Sequence, residues 1–72
     1  METEKVNAPI EAGLLGAQVE VTGDGRHFEA VVVSEAFEGK SLIQQHRMVK
    51  GTVKAQIESD ELHELSIKTK LP

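Results

Sequence analysis

Hydrophobic residues recur along this chain with two different periods, and each change of period marks a predicted element. Near the start, Val6, Ile10 and Leu14 are spaced by four residues, which is typical of one face of a helix. Pro9 interrupts this segment. It fits if Asn7 caps the helix, so that the proline lies in the first turn; otherwise the helix is kinked at the proline. Two glycines then end the segment.

Two strands are predicted next, joined by a glycine-rich turn. Residues 18–22 alternate polar and apolar side chains, as in a strand with one buried face. The Gly-Asp-Gly-Arg sequence of residues 23–26 favours a hairpin turn. The second strand, residues 27–34, is almost wholly apolar at residues 31–33. We therefore expect it to be buried on both faces, at the centre of the sheet.

A longer amphipathic helix is predicted over residues 41–57, with Ser41 as its cap. Its apolar face includes a histidine, and with Ile43 beside them the positions are Leu42, His46, Val49, Val53 and Ile57. A third strand follows over residues 62–69, and the helical crossover predicts that it is parallel to the second through a right-handed connection. This order predicts an α+β fold in which helices cover one face of a three-stranded mixed sheet.

Size and composition limit the classes of function. The 72 residues, 39% hydrophobic and 28% charged, suit one small domain over residues 1–72. Cysteine is absent, which excludes disulfides, zinc–thiolate sites and a thiol nucleophile and suits a reducing, cytoplasmic location. Neither a signal peptide nor an apolar run near the ~20 residues of a membrane helix is recognisable. No catalytic arrangement is recognisable, so we do not expect an enzyme.

Charge is unevenly placed along the chain. The net charge of −4 argues against general affinity for nucleic acid. Residues 40–57 nevertheless contain no acid and four cations, which are Lys40, Arg47, Lys50 and Lys54. Cations on one helix face can contact phosphates, but this segment has no Gly-x-x-Gly loop and no aromatic residue for base stacking. We therefore favour a solvated face, or a docking face for an acidic partner, over a nucleic-acid site.

One stretch, residues 31–49, carries a family resemblance. It joins a strand, a Phe37-x-Gly39 turn and a helix that contains the His46-Arg47 pair. This combination resembles the signature of the BolA-like family. The resemblance extends over about residues 10–69 and implies an α-β-β-α-β architecture related to type II KH domains. Relatives commonly add a C-terminal helix, which is short or absent here.

The resemblance also implies a function. BolA-like proteins share a 2Fe–2S cluster with a monothiol glutaredoxin, which brings its cysteine and a glutathione thiol. We therefore expect an adaptor in cluster trafficking or iron regulation, which is a monomer alone, forms a heterodimer with its partner and binds no cluster by itself. Because some relatives are linked to DNA, the alternative is a transcriptional or stress-response regulator that uses helix 41–57. A third possibility is a metal-free complex with the glutaredoxin.

The histidines are the soft ligands that this chain offers. His63 matches the C-terminal histidine that BolA-like proteins use as a cluster ligand; a strand-end histidine with a packing role is the alternative. Relatives take a second ligand from the loop between the first two strands, where either His27 or Asp24 matches. Iron with sulfur co-ligands favours imidazole over carboxylate. His46 shares the apolar face of its helix, so we expect it to pack rather than to ligate.

Overall fold

A computed structural model describes residues 2–62 and 64–72 of the chain. Its elements are α1 (Thr3–Gly13), β1 (Gln18–Gly23), β2 (His27–Val33), a 3₁₀ turn (Glu35–Phe37), α2 (Leu42–Thr52), α3 (Lys54–Glu58) and β3 (Glu64–Lys70). β2 lies between β1, to which it is antiparallel, and β3, to which it is parallel. α1 packs on β1 and α2 packs on β3. The predicted α+β fold, with its central second strand, is confirmed.

The core lies between the helices and one face of the sheet. Its buried apolar side chains are Val6, Ile10, Phe28, Ala30, Val32, Phe37, Val49, Val53 and Leu62. β2 contributes alternate residues to this core, whereas Val31 and Val33 are only half-buried. The expectation that β2 is buried on both faces is therefore wrong. The strand is central within its sheet, but helices cover only one face of that sheet.

α1 begins earlier than its sequence predicts. The residue that precedes the helix is Glu2, whose side chain makes no capping hydrogen bond. Asn7 lies inside the helix and donates from Nδ2 to Glu11 Oε1 at 2.8 Å, so the alternative in which Asn7 caps the helix is wrong. Pro9 therefore lies in the helix interior, where it has no N–H for the carbonyl of Lys5. Burial of Val6 and Ile10 holds the helix in place despite this loss.

The predicted helix 41–57 is divided in two. Ser41 caps α2 as predicted, in a reciprocal capping box with Gln44. At the other end, the Thr52 hydroxyl donates to the Val49 carbonyl at 2.6 Å. The Val53 N–H, which would use that carbonyl in a continuous helix, bonds to Lys50 instead at 3.2 Å. This side-chain competition ends α2, and α3 starts one residue later.

Part of the predicted apolar face points into solvent, both in the first turn of α2 and in α3 after this break. Val49 and Val53 are fully buried as expected, and His46 is half-buried. In contrast, Leu42 is 63% exposed, Ile43 is 64% exposed and Ile57 is 40% exposed. The prediction that Leu42 and Ile57 join the core is wrong. None of the described helices is long and apolar enough to cross a membrane.

Truncating the same side chain at a buried and at an exposed position should separate core packing from helix propensity. We expect Ile10→Ala to lower the free energy of unfolding by about 2–5 kcal/mol, because it leaves a cavity between α1 and the sheet. The matched control, Ile43→Ala on exposed α2, should change it by less than about 0.5 kcal/mol. Urea unfolding followed by far-ultraviolet circular dichroism measures both. Equal losses would contradict this assignment of the core.

Candidate functional site

The hairpin turn between β1 and β2 is organised by Asp24. Its Oδ1 accepts hydrogen bonds from the backbone N–H groups of Arg26 and His27, each at 2.9 Å. The Asp24 N–H in turn donates to the His27 carbonyl at 3.2 Å. Gly25, with φ of 96°, adopts the left-handed conformation that the chain needs here. Together these contacts position the backbone of His27, the first residue of β2.

The same hydrogen bonds change the ionisation of Asp24. The backbone N–H of His27, and after it that of Arg26, stabilise the charged carboxylate and lower the pKa of Asp24 below its usual value. Both backbone donors use the same oxygen, Oδ1, and together they hold the carboxylate in the turn. The local chemistry of Asp24 is therefore that of a turn-forming residue.

His27 meets the first residue of β3. Its partner in the parallel ladder is Glu64. The Nε2 atom of His27 lies 2.7 Å from Oε2 of Glu64, and both side chains are 65% exposed. An ionised carboxylate only accepts hydrogen bonds, so Nε2 carries the shared proton. In the neutral imidazole, Nδ1 then keeps its lone pair. The result is an exposed imidazole with one nitrogen held by a carboxylate and the other without a hydrogen bond to any described residue.

His63 lies outside the described residues. In the sequence it directly precedes Glu64, the residue that holds the His27 ring. Within residues 2–62 and 64–72, no group of three or more His, Cys, Asp or Glu side chains is arranged to hold a metal ion. The assignments of His63, His27 and Asp24 as cluster ligands therefore stay predictions.

The four predicted contact cations, Lys40, Arg47, Lys50 and Lys54, are all exposed. Lys54 Nζ lies 3.8 Å from Glu58 Oε1, at the i,i+4 spacing of a helical ion pair. The Lys40 carbonyl accepts a hydrogen bond from Gln45 Nε2 at 2.9 Å, which ties the loop before α2 to that helix. Their exposure leaves these cations accessible to a partner, and the identity of that partner stays a prediction.

The residues of the family signature are mainly structural. Phe37 is 1% exposed and ends the 3₁₀ turn. Gly39 has φ of 76°, a conformation that favours glycine, and so it turns the chain toward α2. The half-buried His46 follows Gln45, which accepts a hydrogen bond from the Thr69 hydroxyl of β3. His46 itself is half-buried, and its role as a packing residue rather than a ligand stays a prediction.

Two features of this site are missing from the sequence analysis. One is Glu64 as the hydrogen-bond partner of His27, which depends on the register of two strands far apart in the chain. Aligning the starts of the two predicted parallel strands would have placed Leu62 opposite His27, two residues short of the observed register. The other is a cavity of about 280 Å³, lined by Lys50, Ile57, Leu62 and Leu65. The sequence did not predict this cavity, because the predicted helix was continuous over residues 41–57, whereas the structure divides it into α2 and α3.

The turn built by Asp24 should make stability depend on pH. Because its pKa is lower in the folded chain, the carboxylate contributes stability above its unfolded pKa of about 3.9, and this contribution is lost as pH falls through the folded value. Asp24→Asn should therefore be less stable than the native chain at pH 7, and the difference should shrink below about pH 4. Thermal unfolding across pH tests this. Glu20→Gln on exposed β1 serves as control, and a difference for Asp24→Asn that is constant with pH would contradict the mechanism.

Comparison with known proteins agrees with this fold and with the sequence signature. Residues 4–72 match the model of a family described as BolA-like protein. The acid stress protein IbaG of Escherichia coli is 32% identical over 72 residues, which is 100% of this chain and 86% of that protein. Protein BOLA2 of Arabidopsis thaliana is 42% identical over 69 residues, covering 90% of this chain and 72% of that protein.

A solved structure gives the same result in three dimensions. A BolA protein homologue from Coxiella burnetii superimposes with a TM-score of 0.88 at 40% sequence identity, covering 100% of this chain and 92% of that one. The family match over nearly the whole chain, the sequence identity and the shared fold agree with one another. This chain therefore belongs to the BolA-like family.

Proposed function

We propose that this protein is an iron–sulfur adaptor that binds a monothiol glutaredoxin and supplies histidine ligation to a shared 2Fe–2S cluster. The observation that carries the proposal is the His27–Glu64 pair, an exposed imidazole held by a carboxylate at 2.7 Å. Metal-bound histidines commonly donate their second ring N–H to such a carboxylate, which sets the tautomer and the ring orientation. His63, the family-matched ligand, is adjacent to Glu64 in sequence.

The donors of this chain fit a shared cluster better than one of its own. The chain has no cysteine, so every thiolate must come from the partner. Imidazole replaces thiolate at one iron of some 2Fe–2S clusters and raises their reduction potential. His63 and a second nitrogen ligand would therefore complement the cysteine and glutathione thiolates of a glutaredoxin.

His27 is the better candidate for the second ligand. The Asp24 carboxylate is engaged by two backbone N–H groups in the turn, whereas the His27 ring has its Nδ1 available. Imidazole also suits iron with sulfur co-ligands better than carboxylate does. In this proposal Asp24 orients the backbone of His27, and Glu64 orients its ring.

The cluster is cargo in this proposal, and the protein has no turnover of its own. Its residues bind and orient the cluster together with the partner. The carboxylate of Glu64 keeps the proton of the His27 ring on Nε2. Thiolate ligands and glutathione belong to a reducing environment, so we place the complex in the cytoplasm. The isolated chain is a monomer that binds no cluster by itself.

Anaerobic reconstitution tests the ligand assignment. The chain is mixed with a monothiol glutaredoxin, glutathione, iron and sulfide, and visible circular dichroism reports the coordination of the cluster. We expect a heterodimer spectrum distinct from that of the glutaredoxin alone, lost in His63→Ala and altered in His27→Ala, because each removes a nitrogen donor. His46→Gln is the matched control and should leave the spectrum unchanged. An unchanged spectrum in His63→Ala would refute the assignment.

Titration of the two metal-free proteins by NMR separates a purely structural complex from a cluster-dependent one.

The DNA-binding alternative is supported by the exposure of Arg47, Lys50 and Lys54. It predicts that affinity for duplex DNA falls steeply with salt, and falls again in the double variant Lys50→Glu, Lys54→Glu, because phosphate contacts are lost. Fluorescence anisotropy with labelled duplex measures both effects. Absence of binding at low salt would exclude this function.

A further inference from the structure

The outer edge of β3 is open in the described part of the chain. β3 pairs with β2 on one side, and no described segment pairs with its other side. The Lys70 carbonyl accepts a hydrogen bond from the Ser34 N–H at 3.1 Å, so the backbone groups of Lys70 point toward β2. Because this direction alternates along a strand, the N–H and C=O groups of Leu65, Ile67 and Thr69 point outward. Such a row is a template for another strand.

One side of α2 overhangs this edge. Thr52 faces α1, since a Cβ added to Gly13 would lie 2.5 Å from Thr52 Cγ2. Successive residues of a helix are rotated by about 100°, so Ile43 and Lys50 lie on roughly the opposite side of α2 from Thr52. α2 packs on β3 while α1 packs on β1. The side of α2 that carries Ile43 and Lys50 therefore faces the open edge of the sheet.

Apolar side chains remain uncovered along this overhang. Ile43 is 64% exposed and Ile57 is 40% exposed. The cavity of about 280 Å³ between α2, α3 and the start of β3 is lined by Lys50, Ile57, Leu62 and Leu65. A strand added to β3 would direct every second side chain toward this surface. Apolar residues at those positions would bury both isoleucines.

The charges around the edge are mainly positive. α2 presents the exposed cations Arg47 and Lys50, and β3 adds Lys68 and Lys70, whereas Lys54 of α3 lies 3.8 Å from Glu58 of the same helix. The acid of β3, Glu64, is paired with His27, and Lys68 lies 3.7 Å from Glu29 on β2. Pairing two copies of this edge would bring like charges together, which opposes self-association. Charge complementarity favours an acidic partner.

We propose that the outer edge of β3, with the overhanging side of α2, is a docking site for an extended acidic segment of a partner protein. The segment adds to the sheet as a fourth strand. Its backbone bonds to Leu65, Ile67 and Thr69, and its inward apolar side chains cover Ile43 and Ile57. Its acids lie on the opposite face of the sheet, where they meet Lys68 and Lys70. This proposal does not depend on histidine ligation, and its test uses neither metal nor glutaredoxin.

A synthetic peptide of seven alternating glutamate and valine residues is the probe. Titrated into the ¹⁵N-labelled chain, it should shift the amide resonances of Leu65, Ile67 and Thr69 and slow their hydrogen exchange, and it should leave the inward-facing amides of Ser66 and Lys68 protected as before. Lys70→Glu should weaken binding by about three- to tenfold, because the peptide's glutamates lie on the same face of the sheet as Lys70 and the change turns an attraction into a repulsion. The matched control Lys5→Glu on α1 makes the same charge change away from the edge and should leave binding unchanged. Circular dichroism confirms that both variants are folded.

Three outcomes would overturn the proposal. A peptide of alternating glutamate and proline has the same acids but cannot form a strand. If it binds as tightly as the glutamate–valine peptide, charge attraction alone explains the binding. No protection at Leu65, Ile67 and Thr69 at millimolar glutamate–valine peptide would exclude strand addition. Protection of those amides in the free chain, together with a dimer in sedimentation, would assign the edge to a second copy.

Discussion

Backbone pairing of β2 with both neighbours is the constraint from which the other placements follow. On one side its residues pair with β1 in antiparallel register, and on the other they pair with β3 in parallel register, starting at His27 opposite Glu64. The double pairing satisfies the backbone of the central strand and directs Phe28, Ala30 and Val32 toward the helices. The same register brings the imidazole of one strand against the carboxylate of the other.

The site is supported from two directions. The turn before β2 is held by one carboxylate oxygen with two backbone donors, which fixes where His27 begins. The start of β3 is held by the parallel ladder, which fixes where Glu64 begins. The His27–Glu64 contact itself contributes little to stability, because both side chains are exposed and exposed pairs of this kind are weak. Orientation of the ring, rather than stabilisation of the fold, is what this arrangement provides.

The helical layer has a fully buried inner face and an outer face on which apolar side chains remain exposed. Val49 and Val53 complete the core, while Ile43 and Ile57 of the same predicted helix remain exposed. The break at Val53 is responsible in part, because it changes the direction in which α3 presents its residues. These exposed aliphatic side chains lie beside several cations and above a strand edge with which no described segment pairs. Such a combination is more typical of a binding surface than of a solvated face.

Much of this fold could be predicted from periodicity. The alternation at residues 18–22, the Gly-Asp-Gly-Arg turn and the apolar run at residues 31–33 predict a hairpin with a central strand, and the Ser41 cap marks the start of α2. Local signals failed where side chains compete for backbone groups. The Thr52 hydroxyl takes the carbonyl that would have continued α2, and the start of α1 is set by burial of Val6 and Ile10 rather than by the capping preference of Asn7.

The sequence by itself determined the family, the order of elements and the types of ligand available, because these depend on residue identity and on spacing along one segment. It also determined that any thiolate must come from elsewhere, because cysteine is absent. Only the tertiary structure decided that Glu64 holds the ring of His27 and that, among the described residues, none pairs with the outer edge of β3 beside the exposed isoleucines. Each of these depends on strand register or on how α2 packs over the sheet, and both are set by contacts between distant segments.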